Sequence, residues 1–191
     1  MSKNSAPSRL LQAENALLLV VDIQEKLLPA LPAAESLVQR TGILIEVFRE
    51  LALPILISEQ YPQGLGHTAP TLLQRLPAST AILEKSAFGC GQDAQITDFL
   101  ASSRRSQILV CGVETHVCVN QTVHQLLAIG YQVHLAEDAT CSRHSEDQTI
   151  AISKMRQSGV IPSSTEMAMF ELLGTSRHPL FKSLQALIKS R

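Results

Sequence analysis
The run Ala16-Leu17-Leu18-Leu19-Val20-Val21 is apolar without a break and stops at a carboxylate, Asp22. It lacks the alternation of a half-exposed strand and is far too short to cross a bilayer. A strand buried on both faces has this composition, and such burial calls for a parallel sheet with helices above and below. This one segment therefore points to an α/β architecture, provided that helical segments follow it.

They do. Ala34 to Leu51 carries Leu37, Ile43, Leu44, Val47, Phe48 and Leu51 on one helical face. Pro54 to Ser58 predicts a second strand, and Glu59 to Thr68, with Pro62, Gly64 and Gly66, a loop. Pro70 to Leu76 predicts a short helix with proline first. Ala81 to Lys85 predicts a third strand, Asp93 to Ala101 a helix, and Gln107 to Cys111 a fourth strand. Gln132 to Ala136 predicts a fifth strand ending at Glu137 and Asp138. Ser145 is expected to cap a helix through Gln157. Val160-Ile161 is a sixth strand, and Thr165 to Leu173 and Pro179 to Lys189 are terminal helices. Strands alternating with helices predict a three-layer, doubly wound, mostly parallel sheet of Rossmann-like α/β type. Residues 1–10 read as a flexible tail and 11–191 as a single domain.

Gly112 allows a tight turn after the fourth strand, and from Thr115 the apolar spacing becomes helical through Val117, Val119, Val123, Leu126 and Leu127. Cys118 therefore falls in the first turn of a helix. Free N–H groups and the positive end of the helix dipole favour a thiolate there. Asp22 and Lys85 also fall at strand ends, the edge at which doubly wound sheets bind ligands. Each alone has an ordinary structural reading as a cap, a solvated lysine or a core thiol. Together they are a complete set for acyl transfer: a nucleophile, a proton carrier and a cation that steadies it.

Three segments carry a closer resemblance. They are Leu18-Leu19-Val20-Val21-Asp22-Ile23-Gln24, Glu84-Lys85-Ser86-Ala87-Phe88, and Cys111-Gly112-Val113-Glu114-Thr115-His116-Val117-Cys118-Val119. They resemble the Asp-x-Gln, Lys-x-x-Phe and Gly-Val-x-Thr-x-x-Cys-Val motifs of the isochorismatase-like cysteine hydrolases. The resemblance implies a six-stranded sheet in the order 3-2-1-4-5-6 and a triad of Asp22, Lys85 and Cys118. It also implies a non-proline cis peptide at Val113–Glu114, and an oxyanion hole from the backbone N–H groups of Glu114 and Cys118. Gln24, Tyr61, Phe88 and His116 are the candidate substrate contacts. Tyr61 and Phe88 would be apolar walls and His116 part of the rim. Phe88-Gly89-Cys90 departs from the Phe-Ser-Ala of many members.

Nicotinamidases of the family carry an Asp-x-His metal motif after the second strand. Here that place reads Ser58-Glu59-Gln60-Tyr61, with only His67 following. No metal or cofactor is therefore expected. The cysteine, commonly absent from isochorismatases proper, points to a covalent route on a small amide or related carbonyl compound. Two alternatives remain open: acid-catalysed ether or ester hydrolysis by Asp22, and a redox or partner-binding role in which Cys90 and Cys118 are oxidised together.

A net charge of −1 and the absence of a basic run exclude an electrostatic footprint for nucleic acid or an anionic membrane. The polar start, Met1 to Arg9, is not a signal peptide. The four cysteines have no framework spacing, so a cytoplasmic location is expected. Cys111, Cys90 and Cys141 read as structural, and His124, His134, His144 and His178 share no ligand spacing. The family resemblance implies a homo-oligomer, for which Met167, Met169, Phe170 and Leu172 are candidate contacts.

Overall fold
A computed structural model describes residues 9–189. Most of the expected tail lies outside the described residues. Six strands form one parallel sheet: β1 (Ala16–Val21), β2 (Ile55–Gln60), β3 (Ala81–Lys85), β4 (Gln107–Val113), β5 (Gln132–Cys141) and β6 (Ile161–Ser163). Their order is β3-β2-β1-β4-β5-β6, so the direction of winding reverses between β1 and β4. The helices are α1 (Ala34–Glu50), α2 (Pro62–Leu65), α3 (Pro70–Leu73), α4 (Ala94–Ser102), α5 (Asn120–Ala128), α6 (Ser145–Gln157), α7 (Thr165–Leu173) and α8 (Phe181–Lys189).

β1 shows why an unbroken apolar run was needed. Leu18 and Val20 face a layer containing Leu44, Phe48, Met169 and Leu184 from α1, α7 and α8. Leu17, Leu19 and Val21 face Leu100, Val123, Leu126 and Met155 from α4, α5 and α6. Every residue of β1 is fully buried. Each such Leu or Val contributes about 1.5–3 kcal/mol relative to exposure.

Several boundaries differ from the sequence expectation, each for a local reason. β2 continues through Glu59 to Gln60 because it pairs with β3 as far as Gln60↔Lys85. The expected loop after it contains α2. α3 stops at Leu73. β5 runs to Cys141 rather than ending at Ala136, because Thr140 and Cys141 pair with Gly112 and Val113 beyond a register shift. His144, not Ser145, is the residue before α6, and no side chain caps that helix. Asp93 does cap α4, accepting from the N–H groups of Gln95 and Ile96.

Gly112 makes the β4 end possible. Its φ is +122°, and a Cβ there would lie 2.0 Å from the carbonyl oxygen of Val21. The close approach of β4 to β1 beside Asp22 thus admits only glycine. The Val113–Glu114 peptide that follows is cis.

Candidate active site
The site lies past the carboxyl ends of β1, β2, β3 and β4, where winding reverses. Asp22 leaves β1 with φ +52°, a left-handed conformation that aspartate tolerates better than branched residues do. Its N–H donates to Ser58 O and its carbonyl accepts from Gln24 N–H, which hold the turn. The Asp22 side chain is completely buried, as is that of Lys85.

Lys85 Nζ lies 2.6 Å from Asp22 Oδ2. Its other protons go to Gln60 Oε1 at 2.7 Å and Phe88 O at 2.9 Å, with Ala87 O at 3.3 Å. The ammonium is thus fixed by one charged and several neutral acceptors. Ser58 Oγ donates to Asp22 Oδ1 at 2.7 Å. Gln60 is itself held by its Nε2, which donates to Ser86 O at 2.8 Å. Ser58 and Gln60 share one face of β2 by the two-residue period of a strand. The motifs gave no hint of either. Their signal was positional: polar residues at the end of an apolar strand that pairs Val21 with Ser58.

Cys118 stands on a single π-helical turn, Thr115–Val119, that leads into α5. Val119 N–H reaches back to Glu114 O at 3.2 Å, the wide spacing of such a turn. The Cys118 thiol lies within interaction range of the Asp22 carboxylate, and each acts on the proton affinity of the other. Only 7% of Cys118 is exposed.

Two effects oppose the helix terminus at Cys118. Burial pushes the Cys118 thiol well above its ordinary value, and the negative charge of Asp22 pushes it further, with Lys85 opposing. Burial also raises Asp22, and the attraction and hydrogen bonding of Lys85, then the bonds from Ser58 and Cys118, offset this only in part. The proton affinities of the thiol and the carboxylate are thus both raised.

The segment after Lys85 is tied to the cysteine helix. Cys90 N–H donates to Thr122 Oγ1 at 3.0 Å, and Gly91 N–H to Gln125 Oε1 at 2.8 Å. A Cβ on Gly89 would lie 2.2 Å from that same Gln125 oxygen, so a larger residue here requires the Gln125 amide to move. Cys90 is fully buried; burial and the charge of Asp22 push its thiol up to about 11. Cys111 and Cys141 are buried and free.

The remaining candidates divide. Tyr61 and Phe88 are 59% and 55% exposed, available as walls rather than spent in the core. Gln24 is fully buried, with its amide committed to backbone: it donates to Gln60 O and Gly66 O and accepts from Gln60 N–H. It organises the segment between β2 and α3. His116 Nδ1 lies 2.9 Å from Ser142 Oγ, and its Nε2 lies 3.9 Å from Asp147. Glu114 Oε1 accepts from both the backbone N–H and Nε of Arg143. Two side-chain oxygens flanking Cys118, Thr115 Oγ1 and Asn120 Oδ1, are buried and make no hydrogen bond within the chain.

Glu59 and His67, at the place of the nicotinamidase metal motif, pair with each other at 2.9 Å. Among the described residues no group of three His, Cys, Asp or Glu is arranged to hold a metal ion. No helix among them is long and apolar enough to cross a membrane.

Comparison with known proteins bears on this geometry. The family model for the isochorismatase domain matches residues 16–167. The chain is 37% identical over 176 residues to isochorismatase domain-containing protein 2 of Bos taurus, covering 92% of this chain and 83% of that one. It is 35% identical over 182 residues to isochorismatase family protein 1B of Dictyostelium discoideum, covering 93% and 88%. A solved structure described as the MAR1 ribonuclease of Caenorhabditis elegans superposes with a TM-score of 0.90 at 36% identity, covering 94% and 92%.

Proposed function
Because the chain belongs to the isochorismatase family, we propose that it is a cysteine hydrolase cleaving a small amide or related carbonyl compound, without a metal, through a thioester on Cys118. The observation that carries this reading is the completely buried Asp22–Lys85 pair, 2.6 Å apart, with the buried Cys118 thiol under the influence of both charges.

In this reading Asp22 takes the Cys118 proton as substrate enters, and the thiolate sulfur attacks the carbonyl carbon. The Glu114 and Cys118 N–H groups receive the oxyanion. Asp22 returns the proton to the departing nitrogen as the C–N bond breaks, leaving an acyl thioester. Water then attacks the thioester carbon, giving one proton to Asp22. The C–S bond breaks, an acid is released, and the proton goes back to sulfur. Lys85 aims Asp22 throughout and favours its ionised form between the proton transfers. The raised proton affinity of Asp22 suits a group that must both take and give a proton. Tyr61 and Phe88 would flank the substrate, with His116 at the rim. The four free thiols support a reducing, cytoplasmic setting.

A second reading comes from the 36% identity to the structure described as a ribonuclease. The net charge of −1 and the absence of a run of Lys and Arg argue against a polyanionic reactant.

A panel of small amides tests the proposal, with Cys118→Ala and Asp22→Asn as controls and intact-mass detection of an acyl adduct on Cys118. Hydrolysis with a Cys118 adduct supports the covalent route. Hydrolysis undiminished in Cys118→Ala would favour the acid-catalysed ether or ester route. Cysteine-dependent cleavage of an RNA oligonucleotide in the same assay, with every amide untouched, would replace the small-amide reading.

A further inference from the structure
In the proposed cycle Asp22 passes through two states. It is a carboxylate before it takes the Cys118 proton and a carboxylic acid afterwards, and its aim must survive both. Lys85 serves mainly the first. An ammonium donates and never accepts, so its 2.6 Å bond to Asp22 Oδ2 is strong toward the carboxylate and weak toward the acid. Gln60 Oε1 and the Phe88 and Ala87 carbonyl oxygens hold the ammonium, not the carboxyl.

Ser58 has the versatility that Lys85 lacks. It is fully buried in β2 and holds Asp22 at two points. Its carbonyl accepts from the Asp22 N–H at 3.1 Å, and its hydroxyl donates to Asp22 Oδ1 at 2.7 Å. A hydroxyl carries one donor and two acceptor sites and rotates to suit. It can donate to a carboxylate and accept from an acid without its oxygen moving. Once turned, its proton needs another acceptor. The sulfur of Cys90, fully buried and within interaction range of Ser58, offers a weak one. Burial and the charge of Asp22 push the Cys90 thiol up to about 11, so well below that pH it adds no negative charge beside Asp22. The titratable groups acting on Asp22 are Lys85 of β3 and Cys118 of the π-helical turn; Cys90, in the segment before α4, feels its charge.

We propose that Ser58 is a positioning residue for Asp22. Its hydroxyl donates to the carboxylate and turns to accept from the carboxylic acid, so the carboxyl keeps its aim while it carries the proton. This rests on Asp22 serving as the proton partner of Cys118, as proposed above. Ser58 gives up no proton of its own. The proton that Asp22 gains comes from the Cys118 thiol and leaves with the departing group, and Ser58 only changes the direction of its bond. Lys85 on Oδ2 and Ser58 on Oδ1 thus divide the work: the first favours the charged form, the second holds both forms.

Alkylation of Cys118 by iodoacetamide tests this without knowledge of the substrate. The thiol proton passes to Asp22, the sulfur displaces iodide, and peptide mass spectrometry locates the new S–C bond. Between about pH 4 and 8 the parent rate is expected to rise through an acid-side midpoint to a plateau. Ser58→Ala should lower the plateau about tenfold. It should also move the midpoint upward, because the Ser58 bond helps to lower Asp22. Ser58→Thr, which keeps the hydroxyl and suits a strand, should stay within about threefold of the parent. Asp22→Asn tells the two possible failures apart. If Asp22→Asn is alkylated as fast as the parent, Asp22 is not the proton partner of Cys118, and the proposal falls with that reading. If Asp22→Asn is slow while Ser58→Ala keeps the parental plateau, the reading stands and Ser58 is merely structural, even where its urea midpoint drops. A folded Ser58→Thr as slow as Ser58→Ala overturns the proposal too, since the hydroxyl would then not be the cause.

Discussion
Two carboxylates are buried at the end of neighbouring strands, and they are tuned in opposite directions. Asp22, after β1, is raised above its ordinary value; Glu59, in β2, is lowered. For both, burial pushes upward. At Glu59 the push is overcome by the Thr68 N–H, then by His67 and the Thr68 hydroxyl. The Thr68 N–H and hydroxyl reach Glu59 Oε1 at 2.6 and 2.8 Å, and His67 reaches from the surface with 70% of its side chain exposed. The Asp22 carboxylate lies deeper, accepts from no backbone N–H among the described residues, and shares its cation with carbonyl and amide oxygens. Depth and the type of donor, rather than the carboxylate itself, separate a group suited to moving protons from one that ties a loop.

The largest expected difference is in catalysis. Asp22→Asn should lower kcat/KM by about 10³-fold, since it removes both base and acid. Glu59→Gln should leave kcat/KM within about threefold. Loss of activity in both, or in neither, would erase the functional half of the comparison. The pH profile sharpens it. Activity needs the Asp22 carboxylate, so it should fall on the acid side, with a midpoint above the ordinary 3.8 because burial raises the group. Glu59→Gln should leave that midpoint in place.

Stability should respond next. Lys85→Met leaves the Asp22 charge buried and alone, which costs roughly 3–5 kcal/mol. It should also move the acid midpoint upward, since Lys85 is the main influence lowering Asp22. Urea denaturation and a pH–rate profile measure the two effects. A Lys85→Met variant as stable as the parent would mean that Asp22 protonates at little expense. Glu59→Gln should cost about 1–3 kcal/mol through the Thr68 bonds. Its own stabilising contribution is present above the unfolded pKa and is lost as pH falls through the lowered folded value.

The sequence made Asp22, Lys85 and Cys118 visible because each stands at the end or turn of a strongly patterned element. The β1 run and the Gly112 turn carried the sheet order through family resemblance, and the order β3-β2-β1-β4-β5-β6 is present. What stayed hidden depends on pairing across the sheet. Ser58 and Gln60 matter only because β2 lies beside β1 with Val21 opposite Ser58. Gln125 and Thr122 matter because α5 packs on the glycines around Cys90. The upward push on the Cys118 thiol was hidden for a similar reason. A helix terminus can be read from one segment, but desolvation and the charge of Asp22 come from the assembled fold.

The smallest expected effect is the most discriminating for Glu59. His67 is raised by its hydrogen bond and attraction to Glu59, with Glu84 and Glu25 adding to it. A group raised on folding stabilises fully below its unfolded pKa and loses that contribution as pH rises through the folded value. His67→Ala should therefore lower the urea midpoint slightly at pH 6, and the difference from the parent should vanish by about pH 9. Exposure and screening keep the effect small. In a Glu59→Gln background the pH-dependent part of the His67→Ala difference should shrink sharply, because Glu59 is the partner that creates it. If it persists there undiminished, Glu84 and Glu25 hold the histidine instead, and the contrast between Asp22 and Glu59 rests on the Thr68 bonds alone.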